Sequence, residues 1–403
     1  MEVFVARQPI FDIHQKVFAY ELLFRVGKET AFSGLDGDEA TSEVICRSFF
    51  AIGMDAMTGG KRAFINFTGN LLLSEIPLLL PKDIVVVEIL ENVDPTPEVV
   101  EACRRLKKEG YILALDDFVF EPRFKPLLAL ADIVKVDFTL TKGEERRRVV
   151  KMLDNGHLKF LAEKVETREE YNQAVAMGYS YFQGYFFSKP VLLSGKDMAS
   201  NRIHPLKVLR ELNKPEIEFP TIEKLVLQDI AMTYQLLKFI NSASFGFRKE
   251  IGSVRQALVL LGRKELMKWV SLIALRSVSK GKTDELIVVC MIRARFGELI
   301  GQKAGFKGRT EEVFMMGLFS LIDVFVDMAM ADILPELPLS SDVKEALLGQ
   351  DNMFRRIFKL IVAYEQADWE NFFDYTKELQ LDDGEMPDLY RQAVEWADEV
   401  IRL

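Results

Sequence analysis

Short apolar runs punctuate the first 190 residues: EVFVAR near the start, then VFAYELLF (17–24), RAFINF (62–67), IVVVEIL (84–90), YILALDD (111–117), IVKVDF (133–138), KFLAEKV (159–165) and YFQGYFF (181–187). Runs of this length, rich in β-branched and aromatic residues, read as strands. Between them, apolar positions recur at helical spacing over 39–57, 70–79, 97–109, 123–131, 143–155 and 167–177. The 97–109 segment follows Thr96, opens on Pro97 and stops before Gly110, which supplies a cap, a first-turn proline and a left-handed end. Alternating strand and helix predicts a parallel sheet. Seven or eight such units in about 190 residues predict closure into a TIM-like β/α barrel. A doubly wound open sheet is the alternative, but the first strand is not followed by the glycine-rich phosphate loop such a sheet carries.

The pattern changes after Pro190. Long segments of helical period follow at 221–240, 254–277, 285–304, 310–331 and 386–402, and β-branched alternation fades. The chain therefore divides into a barrel over 1–195 and an all-α helical bundle over 200–403, with PVLLSGKDMASNR at the boundary. Within the bundle, 200–350 forms the core and 351–403 a helical tail carrying YEQADWENFFDY and EWADEVIRL. That tail reads either as a plain helical hairpin or as an interaction surface.

Composition narrows the class. The 403 residues carry a net charge of −9, which argues against a non-specific nucleic-acid binder. Cys46, Cys103 and Cys290 lie far apart with no CxxC pair, as in a reducing cytoplasm, and they make no zinc site. The start, MEVFVARQPI, has no secretory signal pattern, and no long apolar window predicts a membrane span. These features predict a cytoplasmic protein.

The candidate chemistry sits where the strand-like runs end. Each delivers a polar residue there: Glu21, Asn66, Glu88, Asp116 with Asp117, Lys135, Glu163 and Gln183. In a β/α barrel the C-terminal strand ends meet at one mouth. That many carboxylates repel one another unless a cation sits among them, and an all-oxygen donor set selects magnesium, manganese or calcium. Adjacent Asp116 and Asp117 point to opposite sides of a regular strand, so both reach the mouth only where the strand stops. Taken singly, each acid reads as readily as a helix cap or a solvated rim residue, and Lys135 as a surface ion pair.

These motifs together resemble the EAL family of cyclic di-GMP phosphodiesterases over about 1–190. YELLFR sets Glu21 at the signature glutamate and Arg25 at the phosphate-contacting arginine; FINFTGNLL supplies Asn66; VVVEILE supplies Glu88 and the loop-bracing Glu91. ALDDF gives Asp116 and Asp117, VKVD gives Lys135, LAEKVET gives Glu163 and the second loop-bracing acid Glu166, and FQGYFFSKP gives Gln183. The resemblance implies a Mg2+ or Mn2+ site on Glu21, Asn66, Glu88, Asp116, Asp117 and Gln183. It also implies catalytic roles for Lys135 and Glu163, and cyclic di-GMP as the substrate, cut to linear pGpG. Other positions depart from the pattern. The glycine-rich loop after DDF is replaced by VFEPRFKP, Lys164 stands for a glycine, Leu22 for an alanine, and the proline-rich motif after Arg25 is missing. These departures imply a signalling barrel that is weak or inactive as an enzyme and works through protein contacts, with residual affinity for metal or cyclic di-GMP. The alternative is an active Mg2+- or Mn2+-dependent phosphodiesterase.

The stretch from Leu225 to Leu266, with Gln228, Asp229, Leu236, Leu237, Asn241 and Ser242, resembles the HDOD family, relatives of the metal-dependent HD hydrolases. Such hydrolases need His–Asp pairs; here GLFSLIDVF puts Ser320 and Leu321 in that place, and His204 is the only histidine after residue 200. Without those pairs the bundle reads as non-catalytic, a scaffold that binds other signalling proteins, and the chain is a candidate homodimer. Gln228, Asp229 and Asn241 read as caps and buried hydrogen bonds.

Overall fold

The computed structural model describes residues 3–26, 57–74, 76–116, 121–153, 156–184, 204–214, 216, 218–241, 251–278, 283–306, 308–326 and 328–402. The expected helix at 39–57 lies outside the described residues except for Met57, and so do Asp117, Cys46, the 190–202 boundary segment and the segment 242–250. The chain forms two compact units. One comprises Met1–Lys189 with Ala363–Phe373 and Asp382–Arg391; the other comprises Pro190–Val362 with Asp374–Leu381 and Gln392–Leu403.

In the first unit, eight strands close a barrel in chain order: β1 (Val3–Asp12), β2 (Val17–Val26), β3 (Arg62–Phe67), β4 (Val85–Ile89), β5 (Ile112–Leu115), β6 (Ile133–Asp137), β7 (Lys159–Glu163) and β8 (Tyr181–Gln183). From β2 to β8 neighbouring strands are parallel, as the alternation predicts. β1 departs from that expectation, being antiparallel to both β2 and β8. The cause is the short link to β2. Asp12 Oδ1 accepts from the His14 and Lys16 amides, and Gln15 takes a left-handed φ of 58°. A tight turn of this kind can join only antiparallel strands.

Between β3 and β8 run α1 (Gly69–Leu73), α2 (Pro97–Glu109), α3 (Lys125–Leu128), α4 (Glu144–Leu153) and α5 (Arg168–Met177). α2 has the predicted bounds: Thr96 Oγ1 accepts from the Val99 amide at 3.3 Å, and Gly110 ends the helix at φ 97°. The expected helix over 123–131 is instead two short turns, Pro122–Phe124 and α3, each with a proline in its first turn. The barrel floor is apolar. Ile10, Ala19, Phe64, Val86, Ala114, Ile133 and Leu161 form one buried cluster inside the strands.

Gly184 closes the structure after β8. Its φ is +135°, and a Cβ there would stand 2.3 Å from the Val165 carbonyl oxygen. Gly184→Ala is therefore expected to destabilise the fold by roughly 3 kcal/mol, as read by chemical denaturation; an unchanged midpoint contradicts the close approach.

The second unit is helical. Among the described residues it includes α6 (His204–Leu212), α7 (Phe219–Leu227), α8 (Ile230–Ile240), α9 (Val254–Val278), α10 (Asp284–Lys303), α11 (Thr310–Leu318), α12 (Ile322–Val326), α13 (Met330–Ile333) and α14 (Ser341–Leu347). The tail of the chain carries α15 (Met353–Glu365), α16 (Trp369–Glu378) and α17 (Met386–Arg402).

The periodicity at 221–240 resolves into α7 and α8 because Asp229 caps the second, accepting from the Met232 amide at 3.0 Å. Asn241 bridges both backbone groups of Ile251, at 2.7 and 2.9 Å. Gly262 leaves helical geometry inside α9. The segment 310–331, expected as one helix, breaks after Leu318. There the Ser320 hydroxyl donates to the Gly317 carbonyl at 2.8 Å and accepts from Arg293 Nη1 at 3.1 Å. Among the described residues no helix is long and apolar enough to cross a membrane.

Candidate functional site

Strand alternation builds the site. The apolar floor uses one inward position per strand, and the next inward position lies two residues further toward the mouth. For β2 to β8 that step leads from Ala19 to Glu21, Phe64 to Asn66, Val86 to Glu88, Ala114 to Asp116, Ile133 to Lys135, Leu161 to Glu163 and Tyr181 to Gln183. On the reversed β1 it leads back from Ile10 to Gln8. All eight strands thus put a polar side chain on one ring above an apolar base.

Lys135 lies at the centre and is 1% exposed. Its ammonium reaches Glu163 Oε1 at 2.8 Å, Asp116 Oδ1 at 2.9 Å and Glu21 Oε2 at 3.5 Å, and it pairs with Glu88 Oε1. Glu21 is held from two further sides. Gln183 Nε2 donates to Oε2 at 2.7 Å, and Asn66 Nδ2 donates to Oε1 at 3.3 Å. The same Gln183 amide also donates to Gln8 Oε1 at 3.0 Å.

Burial sets the protonation balance. It pushes the Glu88 carboxyl well above the usual carboxylate range, and the Glu21 charge adds to this against the opposing pull of Lys135. Burial likewise takes Glu163 up to about 8, although Lys135 acts to lower it. For Lys135, burial alone would favour the neutral amine; the carboxylates of Glu163, Glu21, Glu88 and Asp116 reverse that and hold it well above the ordinary lysine range.

Among the described residues, no three acidic side chains form a metal cluster by themselves; the ammonium holds them together instead. The ring nonetheless keeps four buried acceptors that have no donor among the described residues: Asn66 Oδ1, Glu88 Oε2, Glu163 Oε2 and Gln183 Oε1. Buried acceptors are rarely left so. An all-oxygen set of carboxylates and amides suits a hard divalent ion, so the residues present fit one.

Seven of the predicted site residues meet here: Glu21, Asn66, Glu88, Asp116, Lys135, Glu163 and Gln183. Asp117 lies outside the described residues. Arg25 stands on β2 beyond Glu21, on the same side of the strand. Glu91 is exposed in the turn after β4. Glu166, also exposed, donates its amide to Glu170 Oε2 at 3.0 Å, and neither acid is a partner of Lys135. Lys164 keeps a left-handed backbone, φ 51°, and its ammonium reaches Asp137 Oδ2 at 2.5 Å. The lysine thus adopts the conformation a glycine would take, steadied by an ion pair beside the ring. Gln8 is the ring member that sequence reasoning missed; its signal was the apolar Ile10 two residues later on a reversed strand.

Comparison with known proteins identifies what the chain as a whole is similar to. The HDOD domain family matches residues 204–347 and the EAL domain family matches residues 49–190, so Glu21 and Arg25 lie ahead of the matched range. The Bacillus subtilis protein YuxH is 39% identical over 98% of this chain and 98% of its own length. The Vibrio cholerae cyclic di-GMP phosphodiesterase CdgJ is 36% identical over 99% of this chain and 93% of its own. Among solved structures, the calcium and cyclic di-GMP complex of Klebsiella pneumoniae BlrP1 is 25% identical over 47% of this chain and 56% of that one, with a TM-score of 0.40. With matches that run its full length, the chain belongs to the family of signalling proteins that join an EAL domain to an HDOD domain.

Proposed function

We propose that the barrel is an active cyclic di-GMP phosphodiesterase that opens one phosphodiester to give linear pGpG with Mg2+ or Mn2+ as cofactor. The observation that carries this reading is the closed ring of polar side chains around Lys135, with buried acceptors still unsatisfied. Support also comes from the full-length similarity to CdgJ, which is named as such an enzyme.

Glu21, Asn66, Glu88, Asp116 and Gln183, with Asp117 beside them, would hold the metal. When bound, a hard divalent ion lowers the pKa of water and offsets charge on phosphoryl oxygens. The chain supplies the rest. Lys135 holds a positive charge beside the reacting water and fixes its direction. Glu163, whose carboxyl burial raises to about 8, can hold or release a proton at that point. The Arg25 fork binds a substrate phosphate. Glu91 and Glu166 brace the loops around the mouth. Residues 200–350 form a non-catalytic bundle that receives other signalling proteins or a second copy of the chain, in the cytoplasm.

One observation favours a second reading, in which the barrel only binds. The turns from Pro122 to Leu128 replace the flexible glycine loop with two proline-led helical turns, which restricts how that side of the mouth can adapt to a substrate. Incubating the purified chain with cyclic di-GMP and Mn2+ separates the two. Accumulating pGpG supports the enzyme; binding without product supports the second reading.

A further inference from the structure

β2 pairs with β3 only as far as Leu22, yet its pairing with β1 runs on to Val26. The β1–β2 hairpin therefore extends past the ring. Its opposed pairs Gln8 with Glu21, Ala6 with Leu23 and Phe4 with Arg25 share one face, the face that lines the barrel lower down. Phe4 is fully buried, and its cover is aromatic: the rings of Trp369, Phe372 and Phe373 lie 5.8, 5.6 and 5.3 Å from it, centroid to centroid. Tyr364 sits behind them, 5.4 Å from Trp369 and 5.3 Å from Phe372. These aromatic residues belong to the same compact unit as the barrel. Phe373 also touches Arg25, whose guanidinium carbon stands 5.4 Å from the ring centre. Arg25 Nε is buried and has no hydrogen-bond partner among the described residues.

We propose that Phe373 is a positioning residue for Arg25, so that the arm that grips the substrate phosphate is set by an aromatic segment from the far end of the chain. The inference rests on the phosphodiesterase reading of the ring. The physical reason is the shape of the guanidinium. Stacked on a ring within about 6 Å it gains cation–π attraction, and its N–H edge stays available for a bidentate contact with phosphate. A side chain held in one rotamer before binding loses less entropy when the ligand arrives. Phe4 and Phe372 in turn hold Phe373 edge-on, so the ring itself cannot drift.

Arg25 binds a phosphate that the substrate carries before and during reaction, so loosening it removes uniform binding. In Phe373→Leu the KM for cyclic di-GMP is expected to rise about tenfold with kcat changed less than about twofold. Phe373→Tyr keeps the ring and is expected to retain the wild-type KM. A second readout needs no turnover. The Arg25 side-chain Nε–H resonance, identified by its loss in Arg25→Lys, is expected to carry a ring-current shift that disappears in Phe373→Leu and persists in Phe373→Tyr. A resonance indifferent to Phe373→Leu, or an active wild type whose KM ignores that change, overturns this proposal alone. An inert wild type overturns the phosphodiesterase reading and with it the substrate role given to Phe373.

Discussion

Metal-free protein with Lys135→Met is expected to be less stable than the wild type by about 3–5 kcal/mol near pH 8, with most of that difference gone near pH 5. Lys135 is the cation that four carboxylates share, and Glu88 and Glu163 are buried beside it. Methionine fills a similar volume but leaves the charges uncompensated. The direction with pH follows from the raised carboxyls. In the folded state Glu163 holds its proton up to about 8, and Glu88 is raised as well, whereas an unfolded chain releases such protons in the ordinary carboxylate range. The folded state thus binds more protons over that window, and stability falls as pH rises through it. In the wild type the ammonium already pulls these carboxyls down; without it the folded variant keeps still more protons as pH rises, so its stability falls more steeply than the wild type's. Denaturation in EDTA at both pH values measures the gap, and adding Mn2+ to the variant is expected to recover part of the loss at the higher pH. A gap that does not change with pH contradicts the account.

Glu21→Ala is expected to lower cyclic di-GMP hydrolysis by about 10²–10³-fold or more, mainly in kcat. Glu21 meets three ring members at once: Lys135, Asn66 and Gln183. Its loss removes an acid from the metal site and frees two amides and an ammonium to turn elsewhere. The substrate's outer contacts, Arg25 among them, are left in place, so KM is expected to move little. A melting curve close to that of the wild type separates this effect from unfolding. Turnover that survives the substitution would mean the ring is not where the chemistry occurs.

The ring was legible because a period of two links each buried apolar residue to the polar residue that ends its strand. Glu21, Asn66, Glu88, Asp116, Lys135, Glu163 and Gln183 could all be read this way. Gln8 could not, because a reversed strand reads in the opposite direction and the run EVFVAR looked finished before Pro9, although β1 continues to Asp12. Nor could the clustering of Phe373 with Arg25, since helical periodicity marks an apolar stripe without saying what covers it. The breaks at Asp229 and Ser320 have the same origin: a cap or a single side-chain hydrogen bond overrides an apolar period that runs straight through it.

The ring's affinity for a divalent cation can be measured most directly by titrating the purified, metal-free chain with Mn2+ and following free ion by electron paramagnetic resonance. The account predicts saturable, stoichiometric uptake by the wild type that is lost in Glu88→Gln, since Glu88 is wholly buried in the ring with one oxygen unpaired. A wild type that leaves the Mn2+ signal at its free-ion value, or takes up the ion equally well in Glu88→Gln, contradicts it.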